Sequence, residues 1–336
     1  MQENETTIER PIRWGILSTA NIGINAVAPA IQASSNGNLL AVASRDTKRA
    51  TERFAFVPGI RIYNSYTELL ADPEIDAVYV PLPNGMHAEW TIRALEAGKH
   101  VLCEKPISII SREGAQMVEA AQNHQKVLME AFMYRFHPQI TWALEQVRTG
   151  EIGPVRLVRA SFSFDIRSHP DNIRLNPELA GGALMDVGCY AVNMCRAIYE
   201  QVPKVVAARM HVPKPAGVDL ATNAVLDFGE GRFGIFDCSF ELPMRQSVEI
   251  IGEEGTITIP VPFNPGTIET VVFVIKNGQM REQSFPRVDQ YQLEVEHFAQ
   301  CIQTNQEPLM RLSETLENMA TIEAIFEAAG QDWPIV

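Results

Sequence analysis

The sequence predicts an α/β fold in two parts, a domain with a parallel sheet followed by an α+β domain with a large open, mostly antiparallel sheet. In the first third of the chain, short β-rich runs alternate with helical runs, which is typical of βαβ units. After about residue 131, longer β-rich runs are separated by turn residues, which is typical of hairpins. We therefore place the domains at residues 1–131 and 132–336.

The first domain is predicted to contain strands that return to one sheet through helices, which makes their pairing parallel. The strands are expected at residues 12–17, 39–44, 76–80, 100–103 and 127–131. The helices are expected at residues 24–33, 48–54, 88–97 and 111–123.

The second domain is predicted to be mainly β, with helices at its beginning, middle and end. Its helices are expected at residues 138–148, 182–199, 290–304 and 313–329, and its first strand at residues 155–164. Residues 205–285 are mostly β-rich. Glycine-containing hairpin turns are expected at residues 229–231, 253–255 and 277–278.

The first strand ends in small residues that match the spacing of the dinucleotide fingerprint G-x-G-x-x-G. Ser18, Ala20 and Gly23 take the three glycine positions, and all three are small enough for a pyrophosphate to approach the backbone. We therefore predict an N-terminal Rossmann dinucleotide-binding domain in which Ser18, Ala20, Asn21 and Ile22 contact the cofactor. The alternative is a tight strand-to-helix turn that binds no ligand.

The end of the second strand favours NADP(H) over NAD(H). An acidic residue usually binds a free ribose 2′-hydroxyl at this position, but here Ser44 occupies it and Arg45 and Lys48 follow. A guanidinium suits a 2′-phosphate through charge-assisted bonds. We expect Asp46 to cap the next helix. The alternative is that both cations are ordinary solvated charges.

The composition excludes several classes of function. The formal net charge is -13, which argues against nucleic acid and anionic membranes as partners. No apolar run approaches the roughly 20 residues that span a bilayer, and residues 1–11 lack the pattern of a secretory signal. We expect a cytoplasmic protein with buried thiols and no metal site, because no CxxC pair occurs among Cys103, Cys189, Cys195, Cys238 and Cys301.

Three stretches carry a family resemblance: PLPNGMH at 81–87, ALEAGKHVLCEKP at 94–106 and DVGCY at 186–190. With them, nearly the whole chain from Ile12 onward resembles the glucose-fructose oxidoreductase/inositol dehydrogenase (Gfo/Idh/MocA) family. The resemblance implies that Lys105 is catalytic and that its bond to Pro106 is often cis. It also places the following candidates at the cofactor: Pro81, Leu82, Asn84, His87, Glu104, Lys105 and Arg135. For His87 the alternative is helix capping, and for Arg135 and His137 it is a structural link between the domains.

A polar stripe is predicted on the otherwise apolar helix at 182–199. Asp186, Tyr190 and Asn193 are spaced i, i+4 and i+7, so they share one helical face and border either a cavity or a buried network. Many family members carry His where this chain has Tyr190. The variant with Tyr resembles glucose-fructose and aldose-aldose oxidoreductases, NADP-linked xylose dehydrogenases and dihydrodiol dehydrogenases.

We expect Tyr190 to exchange a proton with the substrate hydroxyl while hydride moves between its carbon and the nicotinamide. A phenol has a pKa near 10, so it needs the nearby cation of Lys105 to act as a base at neutral pH. Asp186 is expected to orient sugar hydroxyls or Lys105. Candidate substrate residues before or in the loop at 165–181 are Phe164, Asp165, Arg167, Asn172 and Arg174.

The expected function is therefore NADP(H)-dependent oxidation or reduction of a sugar or polyol. The alternative enzymatic activities are those of an aldose-aldose oxidoreductase with tightly held NADP and of a trans-dihydrodiol dehydrogenase. The short N-terminal arm at residues 1–11 favours an exchangeable cofactor. The alternative from another class is a non-catalytic NADP-binding regulator. The resemblance further implies a homodimer or higher oligomer formed through the open sheet.

Overall fold

The structure is a computed structural model that describes residues 10–214, 217–331 and 333. These residues divide into two compact units. The first contains the chain up to Ser108, Arg112–Met133 and Tyr291–Thr315. The second contains Ile109–Ser111, Tyr134–Gln290 and the chain from Leu316 onward. The expectations about a secretory signal and an N-terminal arm fall mainly on residues 1–9, which lie outside the described residues.

The first unit is built on a parallel sheet with the strand order β3-β2-β1-β4-β5-β6. The strands are β1 (Ile12–Leu17), β2 (Gly37–Ala43), β3 (Arg61–Tyr63), β4 (Ala77–Val80), β5 (His100–Glu104) and β6 (Leu128–Ala131). Every residue of the central strand β4 is buried, as expected when helices cover both faces. The order reverses between β1 and β4, where open α/β sheets bind ligands beyond the carboxyl ends of their strands. The predicted Rossmann fold is confirmed.

The helices are α1 (Ala28–Ala33), α2 (Thr47–Arg53), α3 (Tyr66–Leu70), α4 (His87–Glu96), α5 (Ser111–Asn123), α6 (Pro138–Arg148), α7 (Cys189–Tyr199), α8 (Gln290–Thr304) and α9 (Leu312–Ala328). Most of the predicted helices lie within one residue of their expected bounds, but α1 and α7 begin later, after the π-helical turns Gly23–Val27 and Leu184–Gly188. Strand β3 and helix α3 were not predicted. Both are too short, at 3 and 5 residues, to show a periodic pattern.

Helix α8 packs in the first unit although it comes near the end of the chain. The ring of Phe298 lies 5.3 Å from that of Trp14 in β1, and the Glu296 carboxylate accepts a bond from the N–H of Ser35. The first unit is therefore built from separate parts of the chain. The domain boundary at residue 131 stays a prediction.

The second unit is built on a sheet with the order β14-β13-β12-β11-β7-β10-β9-β8. Its strands are β7 (Val155–Ser163), β8 (Lys204–His211), β9 (Ala221–Asp227), β10 (Phe233–Ser239), β11 (Arg245–Gly252), β12 (Gly255–Ile259), β13 (Thr270–Lys276) and β14 (Gln279–Phe285). Neighbouring strands are antiparallel except for the parallel pair of β7 and β10. The three predicted hairpin turns are confirmed, between β9 and β10, β11 and β12, and β13 and β14.

Helix α7 packs on β7 and β10. All five cysteines are buried and reduced, as predicted. Within the described part of the chain, no helix is long and apolar enough to cross a bilayer. In the same part, no group of three or more His, Cys, Asp or Glu side chains is placed to hold a metal ion.

Candidate active site

The turn after β1 leads directly into a helix at the carboxyl edge of the first sheet. Ser18 adopts a φ of +110°, a value that favours glycine and explains why the fingerprint usually has one here. Its N–H donates to the last backbone carbonyl of β2 at 2.9 Å, and its Oγ accepts from the N–H of Ala20 at 3.2 Å. Asn21 and Ile22 follow, and a π-helical turn, Gly23–Val27, begins next. Backbone N–H groups at such a start lack helical partners and suit a phosphate.

The end of β2 matches the arrangement that the sequence predicts. Ser44 is buried, and its Oγ accepts from the N–H of Asp46 at 3.2 Å. Asp46 caps α2 by accepting from the N–H of Arg49 at 2.9 Å, so the predicted cap is confirmed. Arg45 and Lys48 are exposed beside this turn. The carboxylate of Asp46 is therefore engaged in capping α2. The neutral Ser44, and not an acidic residue, follows β2 next to Arg45 and Lys48.

The segment after β4 is buried and then turns into α4. Pro81 and Leu82 are buried, and a short 3-10 turn, Asn84–Met86, precedes His87. The His87 ring is fully buried, with Nδ1 2.8 Å from the carbonyl oxygen of Pro106 and Nε2 2.8 Å from that of Leu82. Burial lowers the pKa of His87 to about 4, against the opposing effect of the two carbonyls. The ring is neutral at pH 7 and connects the segment after β4 with the segment after β5.

The Glu-Lys-Pro run ends β5 at the same edge. Glu104 and Lys105 are half-buried, and the Lys105–Pro106 bond is cis. The hydroxyl of Tyr79, a residue of β4, donates to Oε1 of Glu104 at 2.5 Å. Because β1, β2, β4 and β5 are parallel, their carboxyl ends meet at one edge of the sheet. The structure therefore brings the predicted cofactor residues of the first unit, including Lys105, to that edge.

In the second unit, Asp186 lies in a π-helical turn, Leu184–Gly188, and not in a regular α-helix. Arg174 donates from Nε to Oδ2 of Asp186 at 2.6 Å, and the side chain of Asp186 is 15% exposed. The guanidinium carbon of Arg174 also lies 5.8 Å from the ring centre of Phe164. Three predicted substrate residues, far apart in sequence, therefore form one connected group. Single-turn π-helices are frequent at functional sites.

Tyr190 begins the regular part of the stripe and is surrounded by aromatic rings. Its ring centre lies 5.5 Å from those of Phe162 and Phe263 and 5.8 Å from that of Tyr134. The side chain is 5% exposed. These neighbours fix the plane of the phenol by packing.

Asn193, one helical turn further along α7, is fully buried in a polar network. Its Oδ1 accepts from the hydroxyl of Tyr134 at 2.5 Å and from the guanidinium of Arg135 at 3.2 Å. Arg135 is itself buried. His137 caps α6 by accepting at Nδ1 from the N–H of Gln139. These contacts account structurally for both Arg135 and His137, and cofactor contact by Arg135 stays a prediction.

The remaining substrate candidates lie in the loop after β7. Arg167 is exposed and makes a two-armed ion pair with Asp165, at 2.6 and 3.0 Å. Asn172 accepts from the N–H of Arg174 at 3.1 Å and so shapes the loop that carries this arginine. These contacts explain the local geometry of the loop and do not test substrate binding. The substrate roles of Arg167 and Asn172 stay predictions.

Asp219 shapes the site but gives no signal in the sequence. It is buried, and its carboxylate accepts from the N–H of Leu184 at 2.8 Å and from the hydroxyl of Thr222 at 2.6 Å. Burial raises the pKa of Asp219 to about 6. The carboxylate fixes the start of the π-helical turn that carries Asp186. Asp219 lies 33 positions after Asp186, in the loop between β8 and β9. No sequence motif links two acidic residues at this distance, so the pair could not be predicted.

Comparison with known proteins establishes the family. Residues 12–132 match the model of an oxidoreductase family with an NAD-binding Rossmann fold, GFO_IDH_MocA, and residues 140–258 match a Gfo/Idh/MocA C-terminal domain. The chain belongs to the Gfo/Idh/MocA oxidoreductase family. The family and the enzyme class that the sequence predicts are thus confirmed.

Named relatives match over nearly their full length. A D-xylose 1-dehydrogenase (NADP(+)) from Haloferax volcanii is 39% identical, over 94% of this chain and 97% of the relative. A trans-1,2-dihydrobenzene-1,2-diol dehydrogenase from Xenopus laevis is 32% identical, over 96% and 99%. The crystal structure of KijD10, a 3-ketoreductase from Actinomadura kijaniata with NADP and TDP-benzene, superposes with a TM-score of 0.90 at 29% identity, over 95% and 98%. The KijD10 structures also include Lys→Ala, Lys→Glu and Tyr→Phe variants with both ligands.

Proposed function

We propose that this family member uses NADP(H) to transfer hydride to or from a sugar- or polyol-type carbon, with Tyr190 as the acid–base group and Lys105 assisting it. The observation that carries the proposal is the position of Lys105 at the carboxyl end of β5, on the same edge of the sheet as the turn after β1, where we expect the pyrophosphate to bind. NADP(H), when bound, supplies the hydride acceptor or donor.

The residues of the first unit fit NADP(H). The turn at Ser18 offers backbone N–H groups at the start of a helix, and no acidic side chain takes the place of Ser44 at the end of β2. Arg45 and Lys48 are exposed there, so a 2′-phosphate can bind to them without breaking a buried contact. The xylose dehydrogenase and KijD10 relatives, which are named with NADP, support the same choice.

Tyr190 is suited to move a proton because it is held firmly and has little access to water. In the oxidative direction, its phenolate oxygen takes the proton of a substrate hydroxyl as hydride leaves the carbon that carries this hydroxyl. In the reductive direction, the phenol returns that proton. Lys105 stabilises the phenolate and the oxygen of the substrate carbonyl through its positive charge. Arg174 holds the Asp186 carboxylate, which accepts hydrogen bonds from neighbouring substrate hydroxyls.

The activity test is a panel of aldoses, polyols and trans-dihydrodiols with NADP and NAD, followed at the nicotinamide absorbance band. Tyr190→Phe and Lys105→Met should each lower kcat at least about 100-fold, the scale of losing a positioned acid–base group. Tyr199→Phe is the matched control, because Tyr199 lies on the same helix and its hydroxyl donates to the carbonyl of Phe233. Near-normal turnover in either site variant contradicts the role proposed for that residue.

An aromatic dihydrodiol is the second candidate substrate. The half-buried ring of Phe164, a predicted substrate residue near Arg174, suits an aromatic substrate as well as a pyranose. The dihydrodiol dehydrogenase relative supports this candidate. The same substrate panel also tests two alternative functions. Nicotinamide absorbance in the purified protein favours an aldose-aldose oxidoreductase, and NADP binding without any turnover favours a regulator.

The open face of the second sheet supports a homodimer, which is part of the proposal. It holds a shallow cavity of about 430 Å³ between strands β7 to β11. Apolar Ile235 is 40% exposed there, beside the opposite charges of Arg245 and Asp237. Size-exclusion chromatography with light scattering tests this. A protein that is monomeric at micromolar concentration contradicts the proposed homodimer. The cytoplasmic location is a separate prediction.

A further inference from the structure

Three buried side chains hold the chain on both sides of Lys105, and each comes from a different element. The first is Tyr79, which belongs to β4 and is fully buried. Its hydroxyl donates to Glu104 at 2.5 Å, directly before Lys105. Burial, followed by the charge of Glu104, raises the pKa of the Tyr79 phenol, so the hydroxyl keeps its proton and stays a donor.

The second is His87, the first residue of α4. Its Nδ1 lies 2.8 Å from the carbonyl oxygen of Pro106, directly after Lys105. Its Nε2 lies 2.8 Å from the carbonyl oxygen of Leu82. The neutral ring carries one N–H, so it donates one hydrogen bond, either to Pro106 or to Leu82, and at the other nitrogen a lone pair faces the carbonyl oxygen. In both tautomers the buried ring fills the space between the two carbonyl groups, so it sets the spacing between Pro106 and the segment after β4.

The third is Glu130 in β6, which is 1% exposed. Its Oε1 accepts a hydrogen bond from the N–H of Ile107 at 2.9 Å, two residues after Lys105. Burying a carboxyl group in the centre of a sheet is costly unless its hydrogen bonds are made. An apolar residue would pack in β6 without that cost. The hydrogen bond to the backbone of Ile107 therefore explains why a carboxyl group is present at this buried position.

We propose that Tyr79, His87 and Glu130, called the Lys105 clamp, are positioning residues that fix the backbone from which the Lys105 ammonium reaches the substrate. The inference rests on the proposed catalytic role of Lys105. The clamp ties Lys105 to β4, α4 and β6 in addition to its own strand. A displacement of about 1 Å at a reacting group can cost about 100-fold in rate, so rigid support of this loop matters for turnover.

If the three clamp residues had a purely structural role, replacing them would lower stability without acting through Lys105. Replacing His100 is the matched control for such a structural effect. His100 is a half-buried histidine at the opposite end of β5, and its Nδ1 accepts from the N–H of Val127 at 2.9 Å. Burial lowers the pKa of His100 to about 4, as it does for His87. His100→Phe therefore removes a histidine contact to the backbone at the end of β5 that lies away from Lys105.

The experiment compares Tyr79→Phe, His87→Phe and Glu130→Met with His100→Phe, each in the wild-type and the Lys105→Met background. D-xylose with NADP is the first probe, replaced by the best substrate of the panel where that is faster. In the wild-type background, each clamp variant should lower kcat about 10- to 100-fold. For Tyr79→Phe and Glu130→Met, which lie outside the predicted cofactor residues, Kd for NADPH should stay nearly unchanged. In the Lys105→Met background, the same changes should have no further effect, because the group they position is gone. Glu130→Gln keeps the acceptor for Ile107 and should retain most of kcat.

A second readout needs no turnover. The rate at which acetic anhydride modifies Lys105, measured by peptide mass spectrometry against exposed Lys48, should change in clamp variants and not in His100→Phe. Equal loss of kcat in both backgrounds, or unchanged kcat and unchanged Lys105 modification, would overturn the clamp. Normal turnover of Lys105→Met overturns the proposed function instead, and the modification rates then still decide whether the clamp positions Lys105.

Discussion

Replacing Glu294 with Gln should stabilise the first unit, increasingly so at higher pH. Glu294 lies in α8 and is 1% exposed, and its Oε1 has no hydrogen-bond partner among the described residues. Burial first, and then the negative charge of Glu104, raise the pKa of Glu294 well above its ordinary value of 4.5. The folded protein therefore keeps this proton over a pH range in which the unfolded chain has released it.

The sign and size of the effect follow from proton linkage. Above pH 4.5 the folded state binds more protons at Glu294 than the unfolded state, so stability falls as the pH rises. The slope is at most about 1.4 kcal/mol per pH unit and ends where the folded carboxyl titrates. Gln has a similar shape and binds no proton, so the advantage of Glu294→Gln should grow by up to about 2.7 kcal/mol between about pH 5.5 and about pH 7.5.

Urea denaturation across that pH range measures the difference, with Glu52→Gln as the control. Glu52 is exposed on α2, so its replacement should change the free energy of unfolding by no more than about 0.5 kcal/mol, as for other surface positions. A Glu294→Gln variant whose free energy of unfolding runs parallel to that of the wild type would refute the reasoning. It would mean that the carboxyl is ionised in the folded protein.

Other predictions concern the cofactor turn and the acid side of the stability curve. Arg45→Ala should raise KM for NADP much more than KM for NAD, and equal effects would remove the basis for NADP preference. Ser18→Gly should stabilise the fold by about 1 kcal/mol in thermal unfolding, because it relieves a φ of +110°, and a lower Tm would contradict this. Stability should also fall between about pH 6.5 and about pH 4, because His87 and His100, with pKa values lowered to about 4, bind protons first in the unfolded chain. His87→Phe should flatten this part of the curve.

The sequence was most informative where periodicity and end signals agree. Helices α5 and α6 have the predicted bounds, because their apolar spacing is regular and Pro138 sets φ at the first turn of α6. Helix α8 also has its predicted bounds, but its packing in the first unit was not predicted. An amphipathic pattern reports that one face is buried and does not report against which sheet.

The buried polar groups were the least predictable part of the site. Tyr79, Glu130 and Glu294 occupy strand or helix positions where the pattern alone favours either an apolar core residue or a solvated charge. Their function depends on partners that only the sheet order brings together, such as Glu104 for Tyr79 and Ile107 for Glu130. The family resemblance singled out Lys105 as a candidate, while the residues proposed to hold it are spread over three other elements.

The polar stripe of Asp186, Tyr190 and Asn193 was predicted to border either a cavity or a buried network, and its members differ in burial. Asn193 is fully buried and accepts bonds from Tyr134 and Arg135, as a packing network requires. Asp186 keeps 15% of its side chain exposed and takes its charge partner from a loop. Tyr190 lies between them in sequence, near the start of α7, and Asp186 lies in the π-helical turn that precedes this helix. A base that excludes water and still reaches a polar substrate, as proposed for Tyr190, needs a buried anchor and an accessible carboxylate, so the change in burial along the stripe favours that proposal.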